Sequence, residues 1–220
     1  IDNGVDYTHP DIQNNIWINQ HEVPSSIAAS VDTSGDSKVS ASEVIAYMQS
    51  TGGGDLNNDG AVDLIDAIHS ASPFMDGSDS SQDVNTKVDD LFGWSFKQYN
   101  HDTYSYGTND PAHQFKSSGA AGKEQFHGTH IAGTIAGTGT GTTGVRGIAP
   151  SAQIMPVVAL DAENFACSET DIYNSVRYAV DSGADVINLS IYWADNSWRS
   201  RSMPTLNAAI EYATNNDVFI

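Results

Sequence analysis

Two histidines set three positions apart, His127 and His130 in QFHGTHIAGTIAG, are the side chains of this 220-residue sequence best suited to acid–base or metal chemistry. Zinc helices pair histidines at i and i+4, with a glutamate beside the first. Here the spacing is i and i+3, Gly128 and Thr129 intervene, and no Asp or Glu lies in the helix, so zinc fits poorly. A general base and a structural pair remain as readings of the same residues. The single cysteine, Cys167, cannot form an internal disulfide and reads as a small buried hydrophobe rather than a thiol nucleophile.

A second chemistry lies in the acidic middle of the chain. DTSGDSKVSASEVIAYM from Asp32 and DLNNDGAVDLIDAIHSA from Asp55 align at an offset of 23 residues, each an acidic loop followed by a short apolar helix. Calcium takes about six to eight oxygens, which a loop of about twelve residues can supply from alternate positions and its last one. The second copy offers Asp55, Asn57, Asp59, the Ala61 carbonyl, Asp63 and Asp66, with Gly60 at the sharp turn and Val62 as an apolar anchor. The first offers Asp32, Ser34, Asp36, the Lys38 carbonyl, Ser40 and Glu43. Ser37 replaces its turn glycine and two of its ligands are neutral hydroxyls, so weaker binding is expected. Asp and Asn also favour turns in any acidic surface segment, but the tandem copy argues for ions. Only 11 residues separate the loops, too few for the paired helices of an EF-hand sensor, and the arrangement resembles dockerin-like loop–helix repeats. Asp83, Asn85 and Asp89 in DVNTKVDD form a weaker third candidate.

Four ordered segments, IDNGVDYTHPDI, HGTHIAGTIAG, GVRGIAPSAQI and GADVINLS, resemble hallmark segments of the subtilisin-like serine proteases, the subtilases. The similarity covers Ile1 to about Asn19 and Phe126 to Ile220, and DDLFGWSF between them is also similar to bacterial subtilases. The resemblance implies that His127 is the general base and that Asp2 orients it and stabilises its imidazolium, with His130 a structural residue one turn on. It makes Asn188, Leu189 and Ser190 a substrate-lining strand that pairs with an extended peptide. Family members usually continue with Leu-Gly-Gly, whereas Ile191, Tyr192 and Trp193 follow here, so the specificity pocket loses its family template. A milder departure is Asn3, where Thr or Ser is common.

The resemblance also implies calcium ligation by Asp11 and by backbone groups of the TGTGTTG loop. The family's serine nucleophile sits in a Gly-Thr-Ser-Met-Ala motif, and its oxyanion asparagine follows a strand that here begins at DVFI. Neither is among the 220 residues, so the sequence as printed is expected to be inactive alone. The implied function is serine-type endopeptidase in the full-length protein, acting on a peptide or protein substrate, with calcium as cofactor and a secreted location. A reading from another class is a non-catalytic calcium-binding or adhesion protein on a subtilase-like scaffold.

The elements that must position these groups are visible from Gln125 onward as regular strand–helix alternation. HGTHIAGTIAG has small and apolar residues at helical spacing, and AQIMPVVAL is a continuous apolar strand. SETDIYNSVRYAVDSG predicts a helix capped at Ser168, striped by Ile172, Val176, Ala179 and Val180, and stopped at Gly183. ADVINLSIYW is a second buried strand, and PTLNAAIEYATNN a further helix with Pro204 near its start. Together with the resemblance, these predict an α/β fold: a subtilisin-like, doubly wound, mostly parallel sheet with helices on both faces. It is expected to be incomplete, a partial catalytic domain over residues 1–220 with an acidic insertion at 20–90 carrying the repeats at about 32–50 and 55–71. Asp2 would then stand at a strand's carboxyl end and His127 at a helix N-terminus, where ligands gather in open α/β sheets.

Composition excludes several partners. A net charge of -19, from 28 acidic against 9 basic residues, repels nucleic acid and anionic membrane and attracts cations. No run approaches the roughly 18 apolar residues of a membrane span. The start at Ile1 and the strand-like DVFI at the other end lead to the expectation that both ends continue in a longer protein.

Overall fold

Short parallel ladders form the centre of the chain in a computed structural model that describes residues 1–51, 53–78, 85–97, 107–112, 126–140, 144–161, 166–191 and 203–220. Strands β1 (Trp94–Ser95) and β2 (Val157–Val158) run parallel, with Trp94 opposite Val157 and Ser95 opposite Val158. Successive backbone groups of a strand point to opposite edges. Val158 O therefore accepts from Phe96 N–H at 2.8 Å, while Val157 O accepts from Asp2 N–H at 3.0 Å on the far side. Next to Asp2, the Ile1 nitrogen donates to Asn188 O at 3.0 Å, and Ile187 N–H donates to Phe219 O at 2.7 Å. The segments 94–96, 157–159, 1–2, 186–188 and 218–220 thus lie side by side, and among the described residues only β1 and β2 form a ladder, the rest being joined by isolated bridges or single bonds.

The ladders are shorter than the sequence predicts. Pro156, inside the expected strand, has no N–H to donate, although its carbonyl accepts from Trp94 N–H at 3.2 Å. In ADVINLSIYW only Val186 forms a bridge, parallel to Phe219, and Tyr192 and Trp193 lie outside the described residues.

The helices follow their sequence signals more closely. Helix α4 spans His127–Ala136, α5 spans Glu169–Asp181 and α6 spans Pro204–Asn215 with its proline in the first turn. At α5 the expected cap is a reciprocal box: Ser168 Oγ accepts from Asp171 N–H, and Asp171 accepts from Ser168 N–H. Its stripe of Ile172, Val176 and Ala179 is buried with Ala209 and Ala213 of α6 and with Ala159 and Ile187 of the sheet. Ala132 of α4 belongs instead to a second cluster, with Val5, Tyr7, Ile12, Ile16 and Phe92.

That second cluster also contains the apolar residues of the acidic segment. Helices α1 (Ser25–Val31), α2 (Ala41–Thr51) and α3 (Leu64–Ala67) contribute Val31, Val44, Met48 and Leu64 to it. Each such side chain, fully buried, is worth about 2 kcal/mol. The acidic segment therefore shares its core with the strand-end loop that carries Ile12 and Ile16. Helix α1 forms although SSIAASV carries no long apolar stripe. Among the described residues no helix is long and apolar enough to cross a membrane.

Candidate active site

Asp2, in the segment that bridges Val158, meets the start of α4. His127 Nδ1 lies 2.9 Å from both Oδ1 and Oδ2 of Asp2, across 125 residues of sequence. Asp2 is 6% exposed and also accepts from the Asn3 N–H at 2.8 Å. A carboxylate accepts from Nδ1–H, which fixes the neutral imidazole in the tautomer with its lone pair on Nε2. The imidazole itself is 37% exposed, so the pair combines a buried carboxylate with an accessible ring. Such an arrangement leaves an accessible ring nitrogen able to take a proton while a buried carboxylate orients the ring.

Two neighbours hold the pair. Gly128 N–H donates to Asn3 Oδ1 at 3.0 Å, and Asn3 is fully buried. Gly128 packs so close that a Cβ there would stand 2.3 Å from Gly4 O. The available signal was the glycine directly after His127 at the helix start, where close backbone approach excludes a side chain. Thr129 adds a third tie by accepting from Asp6 N–H at 2.8 Å. His130, expected as scaffold, lies on the exposed side of the helix.

Beside this pair is a cavity of about 600 Å³, bordered by Asp2, Gly128, Ile131, Ile135, Val186 and Asn188. Of the expected substrate strand, Asn188 lines it, and its Nδ2 donates to Ser190 Oγ at 3.0 Å. Leu189 is half-buried and packs on the α5–α6 cluster. Cys167 is half-buried too: burial pushes its thiol up, Lys97 opposes and Asp171 reinforces the rise. A raised thiol is the opposite of what a nucleophile needs.

Asp11 and the TGTGTTG loop do come together. Asp11 Oδ1 accepts from Thr140 N–H at 2.7 Å and from the Thr140 hydroxyl at 2.6 Å, and Oδ2 accepts from Val145 N–H at 3.2 Å. The hydroxyl bond is the largest influence on its carboxyl and holds it below the usual range, with the two backbone bonds and His9 adding to it against burial. Residues 141–143 of this loop lie outside the described residues.

The two acidic loops share one backbone shape. Ser37 and Gly60, aligned at the sharp turn, both have left-handed φ, 68° and 94°. Their N–H groups donate at 2.9 Å to the first acid of each loop, Asp32 and Asp55. The last acid of each does the same for two further aligned N–H groups: Glu43 accepts from Ser34 and Ser40, Asp66 from Asn57 and Asp63. Serine therefore adopts at position 37 the conformation that glycine takes at 60, at a steric cost that glycine avoids. Of the weaker third group, Asp83 lies outside the described residues, Asn85 donates to Asp90 and Ser182, and Asp89 accepts from Gly77 N–H. Among the described residues no three His, Cys, Asp or Glu side chains converge as a metal-holding group.

Glu43 supplies a pH test. Burial alone would raise its pKa, but the N–H groups and hydroxyls of Ser40 and Ser34 outweigh it and bring the value down from 4.5 to about 2. A depressed carboxyl stabilises the fold fully above its unfolded value and progressively less as pH falls through the folded one. The stability difference between the parent and Glu43→Gln should therefore be greatest above pH 4.5 and shrink towards pH 2. Calorimetric Tm against pH measures it, and a difference constant across that window rules out the ionised carboxylate as the source.

Comparison with known proteins gives a consistent result. A family model described as the subtilase family, Peptidase S8, matches residues 1–220. The thermophilic serine proteinase of Bacillus sp. (strain AK1) is 42% identical over 89 residues, 40% of this chain and 20% of that protein. The major intracellular serine protease of Bacillus subtilis (strain 168) is 34% identical over 94 residues, 43% of this chain and 27% of the relative. Thermitase of Thermoactinomyces vulgaris is 43% identical over 65 residues, 30% of this chain and 23% of its own length. The chain thus spans less than a third of the length of these curated relatives.

Proposed function

The chain belongs to the subtilase family, and from that premise we propose that the protein containing it is a serine-type endopeptidase in which Asp2 and His127 are two members of an Asp-His-Ser triad. The observation that carries this reading is the contact of both Asp2 oxygens with His127 Nδ1. With Nδ1 held, Nε2 takes the proton of a serine hydroxyl as it attacks the scissile carbonyl and returns it to the leaving amine. Asp2 keeps its charge and stabilises the imidazolium. The serine and an oxyanion donor come from elsewhere in the full-length protein, and residues 1–220 are part of its catalytic domain. The substrate is a peptide or protein, with the backbone at Asn188–Ser190 pairing to an extended segment. Labelling of the full-length protein by a fluorophosphonate tests the reading: a modified serine supports it, and no labelling of folded protein favours the non-catalytic alternative.

Calcium is the proposed cofactor, at the loops 55–66 and 32–43 and beside Asp11. The donor set, all oxygen and net negative, suits a hard cation. The residues that would hold it are Asp55, Asn57, Asp59, Ala61, Asp63 and Asp66 in one loop and Asp32, Ser34, Asp36, Lys38, Ser40 and Glu43 in the other, where the neutral hydroxyls weaken the site. An ion at the loop 55–66 would compete with the Asp59 and Gly60 N–H groups now bonded to Asp55. In the full-length protein, chelation is expected to lower Tm by about 5 °C or more, as removal of a well-filled site requires. Asp55→Ala with Asp59→Ala should remove part of that calcium effect, and equal Tm responses in mutant and parent would exclude this loop. Extracellular location follows as a proposal, since millimolar calcium outside cells can fill weak sites that the cytosol leaves unfilled.

A further inference from the structure

We propose that Asn3 is a positioning residue for the His127 base, holding the imidazole at Asp2 by capping helix α4 from a distant part of the chain. The inference rests on the triad reading above. The first N–H groups of a helix have no partners within it. At α4 the N-cap residue is Phe126, whose side chain has no acceptor to offer. Asn3 Oδ1 takes that place, accepting from Gly128 N–H at 3.0 Å, and Asn3 itself is 0% exposed.

The backbone of the same residue donates to Asp2 Oδ1 at 2.8 Å, and Asp2 in turn contacts His127 Nδ1 at 2.9 Å. Asp2 and Asn3 are adjacent in the chain, as are His127 and Gly128, so these bonds close a ring: carboxylate, imidazole, Gly128 N–H, Asn3 amide and back to the carboxylate. Movement of α4 along or away from the strand breaks the Asn3 bond and the Asp2 bond together. The donor at Gly128 also fixes the amide orientation, because only the Asn3 oxygen can accept from it.

The experiment uses the full-length protein, with kcat and KM on labelled casein and the rate of fluorophosphonate acylation against pH. Asn3→Ala is expected to lower kcat by about tenfold or more with KM changed less than about twofold, the pattern of a base displaced by a fraction of an ångström. The acid limb of acylation should move to lower pH, because a loosened Asp2 contact stabilises the imidazolium less. Asn3→Asp keeps the acceptor, so kcat should recover to within about threefold of the parent and the acid limb should return towards the parent position. A purely structural role would change Tm without moving that limb. Parent-like kinetics and acid limb in Asn3→Ala, with His127→Ala inactive, would overturn the positioning role and leave the triad reading standing. Parent-like labelling of His127→Ala would overturn both. Should Asn3→Ala fail to fold, Asn3→Leu, of similar size but without the acceptor, decides, and parent-like kcat and acid limb in it overturn the proposal.

Discussion

Replacing His127 by alanine in the full-length protein is expected to lower kcat by about six orders of magnitude and to abolish fluorophosphonate labelling, with the fold retained. The size is that known for removal of the corresponding group in a subtilisin, a member of the same family, and is carried over rather than obtained from these distances. The direction comes from the geometry. The imidazole is 37% exposed, so its loss removes little packing, while Asp2, 7% exposed at its side chain, loses the ring at 2.9 Å that it faces. On the proposed triad, the group that takes the proton of the attacking hydroxyl is then missing. Tm should fall by only a few degrees, consistent with leaving one buried carboxylate with its Asn3 N–H bond but without the ring. Undiminished labelling would sink the assignment of His127 as base.

Gly128→Ala should have the second largest effect, and opposing terms make it informative. In an exposed helix interior, alanine is favoured over glycine by about 1 kcal/mol. Here the new Cβ would stand 2.3 Å from Gly4 O, 3.0 Å from Asp2 Cβ and 3.2 Å from Asn3 Oδ1. Two of these neighbours are a backbone carbonyl and the first carbon of a buried side chain, neither able to swing aside. Relief requires α4 to withdraw by roughly 1 Å, a displacement that can cost about a hundredfold in rate. Overpacking of this kind destabilises by about 1–3 kcal/mol, so the steric term exceeds the propensity gain. The expected result is a lower Tm together with about a hundredfold loss in kcat/KM. A variant with higher Tm and parent activity would show that α4 starts farther from the Asp2 strand.

The pair of predictions separates chemistry from placement. On the triad reading, loss of His127 should remove turnover with little effect on stability. Loss of the glycine moves an intact base, and both quantities fall. Asn3→Ala lies between them, since it removes one bond of the ring and adds no atom.

What could be read from the sequence was local. The helix over 169–181 and its Ser168 cap appear as expected, and of its stripe Ile172, Val176 and Ala179 are buried and Val180 half-buried, because spacing and capping are decided within a turn or two of chain. The tandem loops from Asp32 and Asp55 were likewise legible, and their equivalence extends to the left-handed turn at Ser37 and Gly60. His127 and Asp2 were distinguished from other acids and histidines through the resemblance of IDNG and HGTH to a family. The length of the strands was not legible. A strand ends where its partners stop or where a residue such as Pro156 has no N–H, and both depend on what lies alongside.

The distances within the site belonged to the tertiary structure. Asp2 reaches His127 across 125 residues, and Asp11 reaches Thr140 across 129. The importance of Asn3 and Gly128 became visible only when the start of α4 was seen against the strand end. Helical periodicity and loop ligands repeat within one segment, so composition and spacing reveal them. A contact of 2.9 Å between remote segments is set by how closely two backbones can approach, and no single segment contains that information.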